Sequence, residues 1–196
     1  MSRLLLLGLG LLGLLGTTML QAHSTQPNNL FPRVALHTSH GTILVELDRS
    51  RAPLSVDNFL HYAVTGQYDN TLFHRIIPNF VVQGGGYTAD YKPVLEGAPV
   101  ANEAGNGLLN TRGTLAMART NAPHSATNQF FFNLQDNPNL DPLPQRWGYA
   151  VFGEIIEGLE VLNALGSVNT SFSRKLGAPD VPEQPLLLEK VVLLPQ

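Results

Sequence analysis

The 196-residue chain contains no cysteine and has few charged residues. Without cysteine it can form no disulfide, carry no lipid on a thiol, and use no thiolate as a catalytic nucleophile. Lys, Arg, Asp and Glu together make up 14% of the chain and leave a formal net charge of -3. Because so weakly charged a chain offers no basic surface for phosphates, we expect no nucleic-acid partner.

The sequence also lacks the usual marks of hydrolytic and metal-dependent catalysis. It has no HExxH motif, and we expect no metal and no cofactor. His37 and His40 flank a predicted turn and are interpreted as a solvated pair. Ser125 directly follows His124, and adjacent residues cannot form the base–nucleophile contact of a hydrolase. The glycines at 84–86 lack the Lys and Ser or Thr of a phosphate loop, so close backbone packing is the better interpretation.

An apolar run occupies the start of the chain, MSRLLLLGLGLLGLLGTTMLQA. Arg3, a 13-residue apolar core at Leu4–Gly16 and the small Ala22 are typical of a secretory signal peptide at residues 1–22. The core is short for a membrane span, although a run extended to Leu20 approaches the shortest spanning length and leaves an uncleaved anchor as the alternative. We expect cleavage, no stable membrane insertion, and a mature, exported protein of 174 residues.

The rest of the chain divides into a polar segment at 23–32, expected to be flexible, and one domain at 33–196. Alternating stretches predict a hairpin of Arg33–Thr38 and Thr42–Asp48. Apolar residues at i, i+3, i+4 and i+7 predict a helix that begins near Pro53 and buries Val56, Phe59, Leu60 and Ala63. Further strands are predicted at Leu72–Ile77, Phe80–Gly84, RGTLAMAR, NQFFFNL, GYAVFGEI and PLLLEKVVLL, a second helix at EGLEVLNALG with Leu159 and Leu162 inward, and loops at Tyr87–Thr111 and NPNLDPLPQRW.

Many short strands and two helices favour a closed β architecture over a βαβ sheet. Within it, Arg75 is out of place, because it lies in the apolar strand sequence FHRIIPNFVVQGG. An arginine is rarely buried without a partner, so this side chain either faces water or serves a site.

Four segments resemble the consecutive signatures of the cyclophilin family of peptidyl-prolyl cis-trans isomerases: FHRIIPNFVVQGG, GTLAMAR, SATNQFFFNL and GYAVFGEIIEGLEVL. Their order and spacing hold from about Val34 to Leu194. NTRGTLAMART and the GYAVFG form of the late strand are most similar to the cyclophilins exported to the bacterial periplasm. The resemblance implies a mainly β fold, a closed eight-stranded antiparallel β-barrel capped by two α-helices. In that fold a peptide binds on the outer face of the barrel.

The resemblance also implies roles for individual residues. It assigns catalysis to Arg75, Gln83 and Phe131, and substrate binding to Phe80, Val81, Ala118, Arg119, Thr120, Gln129, Leu140 and Tyr149. Val81 stands where many members have methionine, and Tyr149 where the human-type members have histidine. Asn139 falls where those members have tryptophan, so weak binding of cyclosporin is expected. Trp147 is close in sequence to that region.

The reaction implied by the resemblance needs no nucleophile or proton shuttle. Rotation about an X-Pro bond must overcome a barrier of roughly 18 to 20 kcal/mol, because it breaks the conjugation of the amide. In the twisted state the proline nitrogen regains a lone pair, to which Arg75 can donate a hydrogen bond. Phe130 and Phe132 alternate with Phe131 and are assigned to the core.

We therefore expect an isomerase that assists protein folding in the periplasm as a monomer, with proline-containing peptides and unfolded exported proteins as partners. The alternative is a non-catalytic chaperone or docking module, in which Arg75 contributes only to affinity. An uncleaved, membrane-anchored structural domain is a third hypothesis, and it rests on the leucine-rich start alone.

Overall fold

The structure is a computed structural model that describes residues 24–196, so the predicted signal peptide at 1–22 lies outside the described residues. Within that range the chain forms strands, two α-helices and one short 3-10 turn. The strands are β1 Arg33–Thr38, β2 Gly41–Leu47, β3 Thr71–Ile77, β4 Val81–Thr88, β5 Thr114–Met117, β6 Phe130–Asn133, β7 Val151–Glu157, β8 Thr170–Ser173, β9 Ala178–Pro182 and β10 Leu187–Leu193. The helices are α1 Pro53–Val64 and α2 Leu159–Gly166, and the 3-10 turn is Pro138–Leu140.

Eight of these strands close into an antiparallel barrel in the order β1-β10-β3-β4-β6-β5-β7-β2. Closure gives every barrel strand a neighbour on both sides over at least part of its length, although β10 and β3 pair at only two positions. The predicted β1–β2 hairpin is present, with Thr38 opposite Gly41 and Arg33 opposite Glu46, so Gly41 belongs to β2 rather than to the turn. The predicted closed barrel with two helices is confirmed.

Both helices pack on the barrel through the apolar faces that their sequences indicate. Helix α1 begins with Pro53, whose fixed φ suits the first helical position, and it buries all four predicted residues: Val56, Phe59, Leu60 and Ala63. Helix α2 buries Leu162 completely, whereas Leu159, which was also expected inward, is half-buried against the core. The difference arises because Leu159 occupies the first position of the helix, at the rim of the packed face.

Large apolar side chains fill the barrel interior. Along β6, Phe130 and Phe132 are completely buried and meet edge to face, with 6.0 Å between their ring centroids. Their positions agree with the period-two alternation of a strand. Phe131, between them, belongs to a separate apolar cluster on the other face of the strand. The outer face of the barrel is therefore the surface that can bind a peptide.

Strand β4 is longer than the sequence predicts, because it continues beyond Gly84 to Thr88. The first two residues of the predicted loop at Tyr87–Thr111 are thus strand residues. A methyl group added to Gly84 would lie 2.9 Å from Cδ1 of Phe73, so the close backbone packing expected of these glycines is present. Gly85 has a φ of +83°, a conformation that glycine adopts readily. Because three glycines in a row do not have the composition of a strand, the sequence did not indicate that β4 continues through them.

A second sheet, formed by β8 and β9, was not predicted from the sequence. Ser171 and Phe172 of β8 are exposed, so this strand carries no alternation of buried and exposed positions. Strand β10 pairs with only Thr71 and Leu72 of β3. Beyond that point β9 lies alongside β3.

The segment at 24–32, which the sequence predicts to be flexible, contacts the barrel through Arg49. The Arg49 side chain is 6% exposed and donates hydrogen bonds to the backbone carbonyls of Thr25, Gln26 and Asn29. The Gln26 amide donates in turn to the carbonyl of Leu194 at 2.7 Å. Among residues 24–196 no helix has both the length and the apolar character needed to cross a membrane.

Candidate active site

One row of paired residues crosses the outer face of five barrel strands. Arg75 on β3 lies opposite Gln83 on β4, and Gln83 lies opposite Phe131 on β6. Phe131 in turn lies opposite Ala116 on β5, and Ala116 opposite Val151 on β7. Because neighbouring strands are about 4.8 Å apart, side chains in such a row stand beside one another. A cation, an amide and an apolar patch thus share one surface.

A bulge in β3 explains why Arg75 points outward. Phe73 lies opposite Gly84 while Arg75 lies opposite Gln83, so β3 carries one extra residue, His74, at this point. Phe73 and Ile76 are both in the barrel core although they are three residues apart, which strict alternation does not allow. Without the extra residue, Arg75 would share the inward face with Phe73. The bulge therefore turns the guanidinium toward the groove.

Arg75, Gln83 and Phe131 of this row line an open groove of about 240 Å³, and Ala116 and Val151 are buried beside it. Its apolar part centres on Val81, Ala116, Phe131 and Val151, which cluster apart from the barrel core. The groove is lined by nine residues, all of them predicted from the sequence: Arg75, Phe80, Val81, Gln83, Ala118, Arg119, Phe131, Leu140 and Tyr149. The other two predicted residues, Thr120 and Gln129, line an adjoining polar pocket of about 170 Å³.

Tyr149 and Arg119 support one wall of the groove. The Tyr149 ring meets Phe131 edge to face, with 5.6 Å between the ring centroids. The Arg119 guanidinium carbon lies over the Tyr149 ring, 4.4 Å from its centre. Arg119 also donates to the carbonyls of Thr120 at 2.9 Å and Trp147 at 2.8 Å. The Arg119 side chain therefore fixes the loop that precedes β7.

Comparison with known proteins agrees with this geometry. Residues 33–188 match the profile of the family described as cyclophilin type peptidyl-prolyl cis-trans isomerase/CLD. Peptidyl-prolyl cis-trans isomerase cyp18 of Streptomyces antibioticus is 50% identical over 164 residues, 82% of this chain and 98% of that protein. Peptidyl-prolyl cis-trans isomerase B of Escherichia coli is 46% identical over 163 residues, 82% of this chain and 98% of that protein. The chain belongs to the cyclophilin family.

A solved structure of a cyclophilin type peptidyl-prolyl cis-trans isomerase from Cryptosporidium parvum superposes with a TM-score of 0.70 at 27% identity. The alignment covers 85% of this chain and 99% of that one. The same Cryptosporidium protein has been solved in the presence of the dipeptide Ala-Pro. The family, the fold and the isomerase activity predicted from the sequence motifs are confirmed: this chain is a peptidyl-prolyl cis-trans isomerase.

In this cyclophilin a group of buried asparagines supports the Phe80 and Leu140 end of the groove. The Asn137 amide donates to the carbonyl of Phe80 at 3.0 Å and to the side-chain oxygen of Asn133 at 2.8 Å. The Asn133 amide donates to Thr114 at 2.9 Å. Because Asn133 and Asn137 are at most 1% exposed, these bonds replace contacts with water and fix the loop that carries Leu140.

The two predicted glutamines bond to each other. The Gln83 amide nitrogen donates to the side-chain oxygen of Gln129 at 2.8 Å. Gly86 lies directly against that amide, since a methyl group added to Gly86 would come within 2.7 Å of Cδ of Gln129. The glutamine pair is therefore confined from one side by the backbone of β4.

The Arg75 guanidinium has an acidic partner. Within residues 24–196 neither Gln83 nor Gln129 bonds to it, since these two side chains bond to each other. Instead, Nε of Arg75 lies 3.8 Å from a carboxylate oxygen of Asp180 on β9, with the two side chains 40% and 38% exposed. The sequence gives no signal for Asp180, because it lies in the hairpin that was not predicted.

His74, the extra residue of the β3 bulge, is buried beside the Tyr87 ring, at 4.9 Å between ring centroids. Burial, with a smaller contribution from the nearby charge of Arg75, lowers the pKa of His74 from its usual 6.5 to about 4. The imidazole is thus neutral at pH 7. His74 does not line the groove, although its buried side chain lies next to that of Gln129.

Two residues tied to cyclosporin binding lie outside the groove lining. Asn139 is exposed in the 3-10 turn, next to Leu140. Trp147 is 49% exposed and meets the His124 ring edge to face, with 4.8 Å between the ring centroids. Trp147 therefore does not line the groove, and weak cyclosporin binding stays a prediction. Within the described part of the chain, no three His, Asp or Glu side chains come together as a metal site.

Proposed function

We propose that this groove binds an X-Pro segment and that Arg75, Gln83 and Phe131 catalyse the rotation of its peptide bond. The apolar patch around Phe131 suits a proline ring. Val81, Phe80 and Leu140 line the groove around this patch. The observation that carries the proposal is the row of paired residues. It places a cation two strands, about 10 Å, from an apolar floor on the same face of the barrel.

The chemistry requires stabilisation of a twisted amide rather than bond cleavage. When the X-Pro bond rotates, the nitrogen leaves conjugation and its lone pair becomes a hydrogen-bond acceptor. A guanidinium N–H donates to that lone pair only in the twisted state. This interaction therefore lowers the barrier to rotation without increasing the affinity for the planar substrate. No group in the groove needs to transfer a proton.

Arg75 does not act alone. An acceleration of about 100,000-fold corresponds to about 7 kcal/mol. One charged hydrogen bond contributes about 1.5 to 3 kcal/mol. The remaining stabilisation comes from holding the two ends of the bond differently, with the ring on the apolar floor and the preceding residue on polar groups.

The polar groups on the second side are the backbone N–H of Arg119 and the amide of Gln83. Within residues 24–196 the Arg119 N–H donates to no other residue, which leaves it available to a substrate carbonyl. Ala118, by contrast, donates its N–H to the carbonyl of Gln129 at 2.9 Å and so ties this edge to the barrel. Thr120 and Gln129 line the adjoining pocket, which suits side chains further along the peptide.

A cis–trans assay on an Ala-Pro peptide tests the proposal with Arg75→Ala. Loss of the donor should lower kcat/KM about 10- to 100-fold, the equivalent of one charged hydrogen bond. Arg33→Ala is the matched control, because Arg33 is an exposed arginine on β1 that pairs with Glu46 at 2.8 Å, away from the groove. It should keep the wild-type rate.

Two outcomes would contradict the proposal. Equal rates for wild type and Arg75→Ala would remove the guanidinium from the mechanism. A wild-type rate no faster than buffer would favour the non-catalytic binding module.

We also propose that the protein is exported to the periplasm as a monomer and acts there on unfolded exported proteins. The signal-like residues at 1–22 support export, and the small net charge and single domain suit a monomer. Mass spectrometry of the protein purified from the periplasm should give the 174-residue mature chain. A mass near the full 21.3 kDa would instead indicate an uncleaved leader. Light scattering should give the mass of one chain.

A further inference from the structure

We propose that Asp180 is a positioning residue that orients the Arg75 guanidinium for catalysis. The inference rests on the proposed role of Arg75 and extends it to the β8–β9 hairpin. Its basis is the ion pair between Nε of Arg75 and the Asp180 carboxylate, at 3.8 Å. Among residues 24–196, it is the ion pair that the structure shows for Arg75.

The backbone around Asp180 fixes the position of its carboxylate. Val181 and Pro182, which follow it in β9, are both buried, so this end of the hairpin is anchored against the barrel. Asp180 itself has a φ of +61°, a left-handed conformation that aspartate tolerates better than most residues. The register of the β8–β9 pair shifts between Ser171 and Ser173, nearly opposite this residue. A local irregularity therefore directs the acid toward β3.

The hairpin occupies a place that the barrel leaves open. Strand β10 pairs with β3 only at Thr71 and Leu72, so the Arg75 end of β3 has a barrel neighbour on one side, β4. β9 lies on the other side. Arg75 thus has Gln83 as its neighbour across one edge and Asp180 near the other.

The geometry suits orientation rather than stability. An arginine with 40% of its side chain exposed can adopt several rotamers, and a carboxylate at Nε restricts them. The terminal nitrogens of the guanidinium stay available, and an arginine has five N–H donors in a rigid fork. An exposed pair of this kind adds little to folding stability, because water screens it. Removing the Asp180 carboxylate should therefore leave the fold intact and give the Arg75 guanidinium more rotational freedom.

The test compares Asp180→Asn and Asp180→Ala with the wild-type chain on an Ala-Pro peptide. Both variants should lower kcat about fivefold and leave KM within about twofold, because a misplaced donor weakens the transition state and not the bound planar peptide. Asp180→Glu, which restores the carboxylate on a longer stem, should recover part of the loss. The thermal unfolding midpoint of Asp180→Asn should stay within about 1 °C of the wild-type value, because asparagine also tolerates the left-handed conformation of this residue.

Asp90→Asn is the matched control. Asp90 is exposed beyond the end of β4, and its substitution changes the net charge by the same amount. It should keep the wild-type kcat. Equal losses in Asp90→Asn and Asp180→Asn would assign the effect to net charge and overturn the proposal.

A double-mutant cycle separates this inference from the role of Arg75 itself. If Asp180 acts through Arg75, then Asp180→Asn should lower kcat further by less than about twofold in an Arg75→Lys background. The same fivefold loss in both backgrounds, or a wild-type kcat for Asp180→Asn, would overturn the inference alone. A wild-type rate for Arg75→Ala would instead overturn the proposed function.

Discussion

Arg75 places a charged side chain on a strand of an apolar barrel without the free-energy cost of burying the charge. Its side chain is 40% exposed on the outer face, so the guanidinium keeps part of its hydration. Its backbone is nevertheless rigid, because Arg75 pairs with Gln83 in the ladder between β3 and β4. A fixed backbone and a solvated head are what a donor needs if it is to reach a peptide that binds from solvent.

The buried His74 side chain should make the folding stability of the protein depend on pH. Its pKa is about 4 in the folded protein and 6.5 in the unfolded chain, because burial opposes the charged form. Between these values the unfolded chain binds the proton first, so stability is fully present above pH 6.5 and is lost as the pH falls toward 4. The loss from this residue reaches at most about 3 kcal/mol.

Urea unfolding at pH 7, 5.5 and 4 checks this expectation with wild type and His74→Gln. The wild type should lose more stability than the variant over that range, by up to about 3 kcal/mol. Parallel curves for the two proteins would show that His74 does not bind its proton more weakly in the folded state.

The residues that line the groove could be predicted from the sequence because they lie within long family motifs. All nine residues that line the groove were predicted, because their identities come from matching whole motifs rather than from their own chemistry. Phe131 was separated from Phe130 and Phe132 by strand alternation together with the resemblance. The contact of Arg75 with Asp180 could not be predicted, since 105 positions separate them and neither residue type specifies a partner.

At the scale of elements, irregularities direct the side chains of the site. The extra residue at His74 shifts the phase of β3, so that Arg75 faces outward while Phe73 and Ile76 face the core. Period-two reasoning assumes a regular strand and cannot locate such a bulge. The β8–β9 hairpin was missed for a related reason. Its exposed strands have no buried face, and its turn residues resemble an ordinary loop.

The loop that carries Leu140 depends on the buried asparagines, and Asn137→Ala tests this at the element scale. The variant loses bonds to the carbonyl of Phe80 and the side chain of Asn133, both in a buried environment. Unfolding free energy should fall by about 1 to 3 kcal/mol, and KM for the peptide should rise because Phe80 and Leu140 lose their support.

Asn139→Ala is the control for this prediction. Asn139 is exposed in the same 3-10 turn, so its removal should change stability by less than about 0.5 kcal/mol. Equal effects of the two substitutions on stability would contradict the role assigned to the buried network.

For the whole molecule, the packed barrel decides where catalysis can occur. Phe130, Phe132 and Phe152 are completely buried inside it, so the apolar residues of the site must lie on the outer face. The closed order of the strands then sets β3, β4, β6, β5 and β7 side by side, although they are not consecutive in the chain. Local pattern predicts which segments are strands. Their order and register depend on long-range pairing, which local pattern does not specify, and the resemblance implied only the number of strands and the closed antiparallel barrel.

The central claim is that Arg75 stabilises the twisted amide and not the bound planar peptide. NMR exchange spectroscopy on an Ala-Pro peptide measures affinity and the rate of rotation on the protein in the same sample, for wild type and Arg75→Ala. The account predicts a dissociation constant within about threefold of wild type and a rotation rate lower by about 10- to 100-fold. A variant that binds the peptide 10- to 100-fold more weakly, yet rotates it at the wild-type rate, would contradict the account.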